Sequence, residues 1–225
     1  MIRIPEPELM ESKDQASAYA SADFTESNNI FLENLFELTN IDDDTKILDI
    51  GCGDGEIPIK IFKKQQCDIT AIDGSQSMLS EFHKKLDINN ISRIRTIKCL
   101  LNDKLLFNKQ FDIVMSNSLI HHIKDIDLFW HNLIRLMNKD GTILCMDLLR
   151  PDNEDALNKI LAQYGGSNQI LKKDFENSLR AAYTINEINT QLSKINKIAF
   201  TIKSVSDRHF FVSIKLNDDP ILKTQ

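Results

Sequence analysis

The 225-residue chain is sparing with cysteine and glycine and lacks any long apolar segment. No apolar run approaches the roughly 20 residues that a membrane-spanning helix needs, which excludes a transmembrane protein. The first ten residues lack the apolar stretch of a secretory signal, so we expect a cytoplasmic protein without membrane insertion. The four cysteines form no C-x-x-C pair and lack the spacing of a zinc site or a disulfide framework. We expect buried, reduced thiols.

An excess of basic residues is also missing. The chain has 27 Lys and Arg against 33 Asp and Glu, for a net charge of −6. This balance argues against a nucleic-acid partner, although a local basic patch can coexist with an acidic total. Apolar residues make up 42% and charged residues 27%, close to an average globular protein. Global disorder is therefore excluded, and the chain is long enough for a full core.

Short apolar runs alternate with helical patterns after residue 46. This alternation predicts an α/β fold, with a doubly wound, seven-stranded and mostly parallel sheet. Only residues 205–208 join the last two strands, which is too short for a crossover, so these strands should form a C-terminal antiparallel pair. Residues 164–174, which include two adjacent glycines, look like a flexible connection. The predicted strands are 47–50, 68–72, 93–97, 112–116, 142–147, 198–204 and 209–216, and the predicted helices are 58–65, 76–86, 128–137, 152–163 and 186–194.

The N-terminal residues 1–40 carry no strand pattern. Their apolar residues recur at mostly helical intervals, which predicts one or two amphipathic helices, broken around residues 25–29. The chain therefore divides into a helical segment, 1–40, and an α/β domain, 41–225. Tyr19 and Phe24 are candidates to face a site on that domain, or alternatively to pack the helices against the sheet.

The sequence Leu-Asp-Ile-Gly-Cys-Gly-Asp-Gly at residues 48–55 follows a predicted strand and precedes a predicted helix. Alternating glycines permit a tight turn and let a ligand approach the backbone. The spacing differs from the Gly-x-Gly-x-x-Gly fingerprint that binds a pyrophosphate. Asp49, before the first glycine, would repel a phosphate and favour a cationic ammonium group. A nucleoside with an amino-acid tail, S-adenosylmethionine (SAM), fits these properties; the alternative is a plain strand-to-helix turn.

Asp73 supports a nucleoside ligand. It ends the second predicted strand, where a carboxylate can accept hydrogen bonds from both hydroxyls of a ribose. The alternative role for Asp73 is to cap the next helix, and the two roles are compatible.

The chain resembles the class I SAM-dependent methyltransferases. The matching segments are LDIGCGDG, ITAIDGSQSML, FDIVMSNSLIHHI and LIRLMNKDGTILCMDLLRP, and the resemblance covers residues 46–151 and the closing strand pair. It is nearest to small-molecule enzymes such as those of the biotin and ubiquinone pathways. The resemblance implies that SAM is the cofactor and S-adenosylhomocysteine (SAH) the product. Residues 1–40 have no strand and precede the first strand, so we expect them to lie across the carboxyl edge of the sheet as a lid. The resemblance assigns cofactor-binding roles to Asp49, Gly51, Gly53, Asp73 and Asn117. The family often has an acidic residue beside the adenine; this sequence departs from that pattern, and Asn102, whose amide can donate and accept, is our predicted adenine contact.

His121 and His122 follow the fourth predicted strand, where the family places residues that face the substrate. An imidazole can take a proton from a hydroxyl or ammonium nucleophile. These two histidines are therefore the candidate catalytic residues, and the alternative is that one of them packs at the sheet edge. We expect no metal site, because adjacent residues on a helix point in directions about 100° apart and their side chains do not converge.

The predicted function is methyl transfer from SAM to a small-molecule acceptor. Residues 116–119 do not read Asn-Pro-Pro-Tyr, the motif with which enzymes that methylate nucleic-acid amines hold a planar amine. Two alternatives stay open: an RNA-modifying methyltransferase and a catalytically silent SAM-binding protein. The sequence leaves the acceptor and the oligomeric state undetermined.

Overall fold

The computed structural model describes residues 1–6, 12–101, 103–106 and 108–217. The strands are β1 (Lys46–Ile50), β2 (Asp68–Asp73), β3 (Ile94–Lys98), β4 (Phe111–Asn117), β5 (Met137–Leu148), β6 (Ile198–Ser204) and β7 (His209–Leu216). The helices are α1 (Lys13–Ala20), α2 (Thr25–Leu38), α3 (Glu56–Lys64), α4 (Gln76–Asn89), α5 (Ile126–Leu136), α6 (Glu154–Tyr164), α7 (Gln169–Ala181) and α8 (Ile185–Leu192). Short 3-10 turns span Lys104–Leu106 and Ile120–His122.

The seven strands form one sheet in the order β3-β2-β1-β4-β5-β7-β6. The first five strands are parallel, and β7 runs antiparallel to both of its neighbours. The predicted α/β sheet with a C-terminal antiparallel pair is confirmed. The strand order reverses between β1 and β4, and open α/β sheets bind ligands at the carboxyl ends of the strands at such a point.

Each face of the sheet is covered by its own apolar core, which is why the central strands are apolar along their whole length. Helices α2, α3 and α4 pack on one face, with Phe31, Ile61 and Phe82 fully or almost fully buried. Helices α5 and α8 pack on the other face, where Trp130 is completely buried. The four cysteines are buried and free, as the sequence predicts.

Helix α7 was not predicted. Residues 164–174 were expected to be a flexible connection, but only the glycine pair and its neighbours form a turn. Asn168 caps α7 by accepting hydrogen bonds from two backbone amides, and Leu179 is fully buried beside α6. Local sequence does not predict this helix, because most of its residues are polar and only a narrow apolar stripe packs against the rest of the protein.

Two boundaries also differ from prediction by more than three residues. The break between the N-terminal helices lies at residues 21–24, since 25–29 already form the first turns of α2. Strand β5 begins at Met137, where α5 has just ended, because Met137 pairs with Phe111 of β4. Among the helices of the described ranges, none combines the length and the apolar character that crossing a bilayer requires.

Candidate active site

The glycine loop connects β1 to α3 at the carboxyl end of the sheet. Gly51, Gly53 and Gly55 all have positive φ angles, of 70°, 54° and 77°. The carbonyl oxygen of Ile72 accepts hydrogen bonds from the amides of Gly51 (2.9 Å) and Cys52 (3.0 Å), which fixes the loop against β2. A Cβ at Gly51 would lie 2.9 Å from the side chain of Leu119. The loop therefore needs glycine both for its backbone angles and for close packing.

Asp73 joins this loop to the start of α4. Its Oδ2 accepts a hydrogen bond from the amide of Gly53 (2.9 Å), and its Oδ1 accepts one from the amide of Ser75 (2.7 Å). Burial raises the pKa of Asp73, and these two backbone hydrogen bonds partly offset the increase. The N-cap of α4 is Ser75, whose hydroxyl accepts from the amide of Met78. Asp73 thus supports the cap indirectly and shapes the glycine loop.

Asp49 lies beneath the loop and is 4% exposed. Burial, together with the nearby charge of Asp73, raises the pKa of Asp49 to about 8. Asn117, at the end of the neighbouring strand β4, has a buried Oδ1 without a hydrogen-bond partner among the described residues. An unpaired buried acceptor costs about 1–3 kcal/mol, so this site favours a ligand that donates hydrogen bonds and carries positive charge.

Asp49 and Asn117 line a cavity of about 40 Å³ between the glycine loop and the N-terminal helices. A second cavity, of about 950 Å³, adjoins it, and both contain Tyr19, Phe24 and Asn117 in their walls. The rings of Tyr19 and Phe24 lie 4.4 Å apart. The structure thus brings the candidate lid residues to the glycine loop, while Asn102 falls outside the described residues.

The two candidate catalytic histidines lie in the 3-10 turn after β4 and line the larger cavity. His121 is 3% exposed, and its Nδ1 donates a hydrogen bond to Oδ1 of Asp147 at 2.5 Å. Burial lowers the pKa of His121, but the carboxylates of Asp147 and Glu6 together outweigh that effect, so the net shift is upward. The rings of His121 and His122 lie 4.2 Å apart, tilted by 39°. The expectation that their side chains do not converge is wrong, because a ring nitrogen of each lies within 3.5 Å of the same Glu6 oxygen.

Asp147, near the end of β5, organises this turn. It also accepts hydrogen bonds from the amides of Ile120 (2.5 Å), His121 (3.3 Å) and Leu148 (2.6 Å). Although burial alone would raise its pKa, the charge and hydrogen bond of His121 lower it. Sequence reasoning missed Asp147, although an acid ending a predicted strand at the carboxyl edge was a usable signal.

Glu6 completes the cluster from the N-terminal segment. Its Oε1 lies 3.4 Å from Nε2 of His121 and 3.5 Å from Nδ1 of His122. Arg3 anchors the segment: its guanidinium donates to the carbonyl oxygens of Ala181 (2.6 Å) and His121 (2.8 Å) and lies 4.0 Å from the ring centre of Tyr183. No local sequence pattern pointed to Glu6 or Arg3, because their partners are more than a hundred residues away.

Comparisons with known proteins agree with this geometry. Residues 48–143 match the family described as methyltransferase domain. The chain is 29% identical over 136 residues to the ubiquinone biosynthesis O-methyltransferase of Rickettsia bellii, covering 60% of this chain and 55% of that protein. It is 24% identical over 121 residues to the ribosomal protein L11 methyltransferase of Acetivibrio thermocellus, covering 54% of this chain and 37% of that protein. The chain spans about half the length of the curated relatives it matches.

A solved structure shares nearly the whole fold. The plantazolicin methyltransferase BpumL, in complex with a triazolic desmethylPZN analog and SAH, superposes with a TM-score of 0.74 at 16% identity. The alignment covers 91% of this chain and 90% of that one. Residues 48–143, which include the glycine loop, thus match the methyltransferase-domain family, and the sheet shares the Rossmann-like fold of that solved methyltransferase.

Proposed function

We propose that this protein transfers the methyl group of SAM to a small-molecule acceptor and releases SAH. The observation that carries the proposal is the pair of buried acceptors, Asp49 and Asn117, beside the glycine loop. These groups match a ligand with a cationic amino-acid tail and no phosphate. Relatives named as methyltransferases, and a neighbour solved with SAH, support the same ligand.

The residues around the loop fit the parts of SAM. Asp49 and Asn117 would hold the methionine end, and Gly51 and Gly53 would let the ligand approach the backbone closely. The carboxylate of Asp73 would accept hydrogen bonds from the ribose hydroxyls. Asn102 stays our predicted contact to the adenine.

The larger cavity would receive the acceptor. Its volume of about 950 Å³ suits a small molecule, since such sites measure roughly 300–1,000 Å³. The Rickettsia relative, whose name assigns it to ubiquinone biosynthesis, supports a small-molecule substrate. A cytoplasmic location stays a prediction of the sequence.

Catalysis would depend mainly on position. Bound SAM supplies a methyl group already activated by a sulfonium, so the protein has to align the acceptor for in-line displacement. Such alignment alone is worth about 7–11 kcal/mol in favourable intramolecular models. His121 and His122 would contact the acceptor and accept its proton, with His121 oriented by Asp147. Residues 1–40 would serve as the lid over domain 41–225, with Tyr19 and Phe24 covering the ligand.

This proposal predicts direct binding of SAM and SAH and transfer of an isotope-labelled methyl group from SAM into a compound of a metabolite extract. Calorimetry measures the binding, and mass spectrometry identifies the labelled product. Tyr19→Ala should bind SAH more weakly and turn over slowly, because part of the cover is lost. Tyr164→Ala, which alters a partly exposed aromatic of the outer cavity wall, serves as the matched control for SAH binding. Absence of SAM and SAH binding at millimolar ligand would overturn the proposal.

The raised pKa of Asp49 makes binding depend on pH. With a pKa of about 8, the carboxyl group of the free protein is mostly protonated at about pH 7. A cationic ligand favours the ionised form, so binding of SAH at that pH should release close to one proton. Affinity should therefore rise from about pH 6 to about pH 8. Calorimetry in buffers of different ionisation enthalpy counts the proton.

The control for this pH dependence is Asp49→Asn. This variant should bind SAH more weakly and release no proton, because the titrating group is gone. A wild-type affinity that does not change with pH, or proton release that survives in Asp49→Asn, would contradict the assignment of Asp49.

A further inference from the structure

The side chains of Glu6, His121 and His122 point three ligand atoms at one small volume. These atoms, one carboxylate oxygen and two imidazole nitrogens, all lie within 4.8 Å of one another. The Glu6 oxygen is 3.4 Å from Nε2 of His121 and 3.5 Å from Nδ1 of His122. In a tetrahedral site with metal–ligand bonds of 2.0–2.1 Å, neighbouring ligand atoms are about 3.3 Å apart. The two distances are therefore close to those of a metal coordination sphere.

The charges around His121 favour a cation at this point. Its Nδ1 donates to Asp147, and its Nε2 faces Glu6. Oε1 of Glu6 is buried and has no hydrogen-bond partner among the described residues. An imidazole between two carboxylates either carries a second proton or offers its free lone pair to a cation. The separation of 3.4 Å is longer than a charge-assisted hydrogen bond, which is typically 2.7–2.9 Å, and it leaves room for a metal ion bound to both atoms.

Asp147 supplies the support that a metal-binding histidine requires. A ligating imidazole usually donates its other N–H to a carboxylate, which fixes the ring and its tautomer. The Asp147 carboxylate is itself held by the backbone amides of Ile120, His121 and Leu148. The ring of His121 is therefore already oriented with Nε2 toward Glu6.

We propose that Glu6, His121 and His122 bind one divalent transition-metal ion of the Zn²⁺ type, with an open coordination position facing the acceptor cavity. Two histidines and one glutamate form a known ligand set for catalytic zinc, which keeps one position for water or substrate. Glu6, His121 and His122 all line the cavity of about 950 Å³. The open position can therefore be reached by an acceptor.

The chemical role of this site rests on the proposed function. It makes that function more specific, because a metal at this position selects an acceptor with a hydroxyl group. With the metal bound, both imidazoles serve as ligands in place of the proton-accepting role proposed above. The metal lowers the pKa of a coordinated hydroxyl, whose proton leaves to water in the cavity. The oxygen then forms a bond to the methyl carbon while the sulfur–methyl bond breaks and its electron pair stays on sulfur. The metal keeps its oxidation state throughout.

The test is titration of the full chain, free of any polyhistidine tag and of metal, with Co²⁺ and then Zn²⁺. We expect one Co²⁺ per chain with visible d–d absorption bands of a four- or five-coordinate ion, and displacement of Co²⁺ by Zn²⁺. Glu6→Ala, His121→Ala and His122→Ala should each weaken binding on the order of 100-fold or more, beyond the 10- to 100-fold typical of lost supporting residues.

His83→Ala and His131→Ala are the matched controls, since both remove an exposed histidine outside the cluster and should leave metal binding unchanged. Thermal unfolding establishes that each variant is folded. If a histidine variant does not fold, Glu6→Ala, which alters only the N-terminal segment, still tests the site. Failure of the wild type to bind stoichiometric metal, or equal binding by Glu6→Ala, would overturn the site. Metal binding without methyl transfer would support the metal site and refute the proposed function. Methyl transfer without metal binding would refute the metal site and support the proposed function.

Discussion

Replacing Asp73 with alanine should weaken SAH binding by about 100-fold or more. The variant loses the carboxylate proposed to accept both ribose hydroxyls, and hydrogen bonds to a charged group contribute about 1.5–3 kcal/mol each. It also frees the amides of Gly53 and Ser75, which Asp73 now holds at 2.9 and 2.7 Å. The substitution therefore removes both the hydrogen bonds that fix the glycine loop and the proposed contact to the ribose. Calorimetric titration with SAH measures the effect.

Asp68→Ala is the control, because Asp68 begins the same strand at its opposite end and is exposed. It should bind SAH as the wild type does. Both variants should keep a cooperative unfolding transition, since neither substitution removes a buried apolar side chain. Wild-type affinity in a folded Asp73→Ala protein would contradict the assignment of the cofactor site.

Replacing Gly55 with alanine should destabilise the fold by about 2–5 kcal/mol. The positive φ of 77° at Gly55 costs an L-residue about 1–2 kcal/mol. A Cβ at Gly55 would in addition lie 2.0 Å from the ring of Phe82, which is fully buried and cannot move aside without disturbing the core. Overpacking of this kind typically costs a further 1–3 kcal/mol. Urea denaturation measures the change in the free energy of unfolding.

Gly166→Ala separates the two causes. Gly166 has a similar φ of 61°, but a Cβ there would meet nothing within 4 Å. This control should cost only the conformational term of about 1–2 kcal/mol. Equal destabilisation by the two substitutions would show that Phe82 yields, and that the glycine loop is less tightly packed than the structure indicates.

Most of the sheet could be predicted from local sequence. The strands are short apolar runs separated by helical patterns, and the two-face burial that causes those runs is what the structure contains. Helix α7 could not be predicted in the same way, since its stability depends on contacts with α6 and on the Asn168 cap rather than on a broad apolar face. The length of β5 depends on a pairing between Met137 and Phe111, which no local pattern encodes.

Part of the candidate site could likewise be predicted from local sequence, and part of it could not. Asp49, Asp73 and the glycines belong to one loop and one strand end, so their spacing in sequence already indicates their proximity. Glu6 meets His121 because Arg3 and the amide of Ile4 fasten the N-terminal segment to distant backbone carbonyls. His121 and His122 converge on Glu6, and Asp147 of another strand orients the His121 ring and holds the turn that carries both. Long-range contacts of this kind leave no periodic signal.

The position of β7 between β5 and β6 has a consequence for the synthesis of the chain. Residues 209–216 are made last among the strands, yet they pair along β5 from Ile143 to Leu148. Until they leave the ribosome, β5 exposes unpaired amides and carbonyls on one edge, an aggregation hazard during translation. Arg208 and His209 also line the larger cavity. The four strands β1 to β4 can therefore assemble while the chain is still growing, whereas the acceptor cavity acquires its last wall only after residue 216 has emerged.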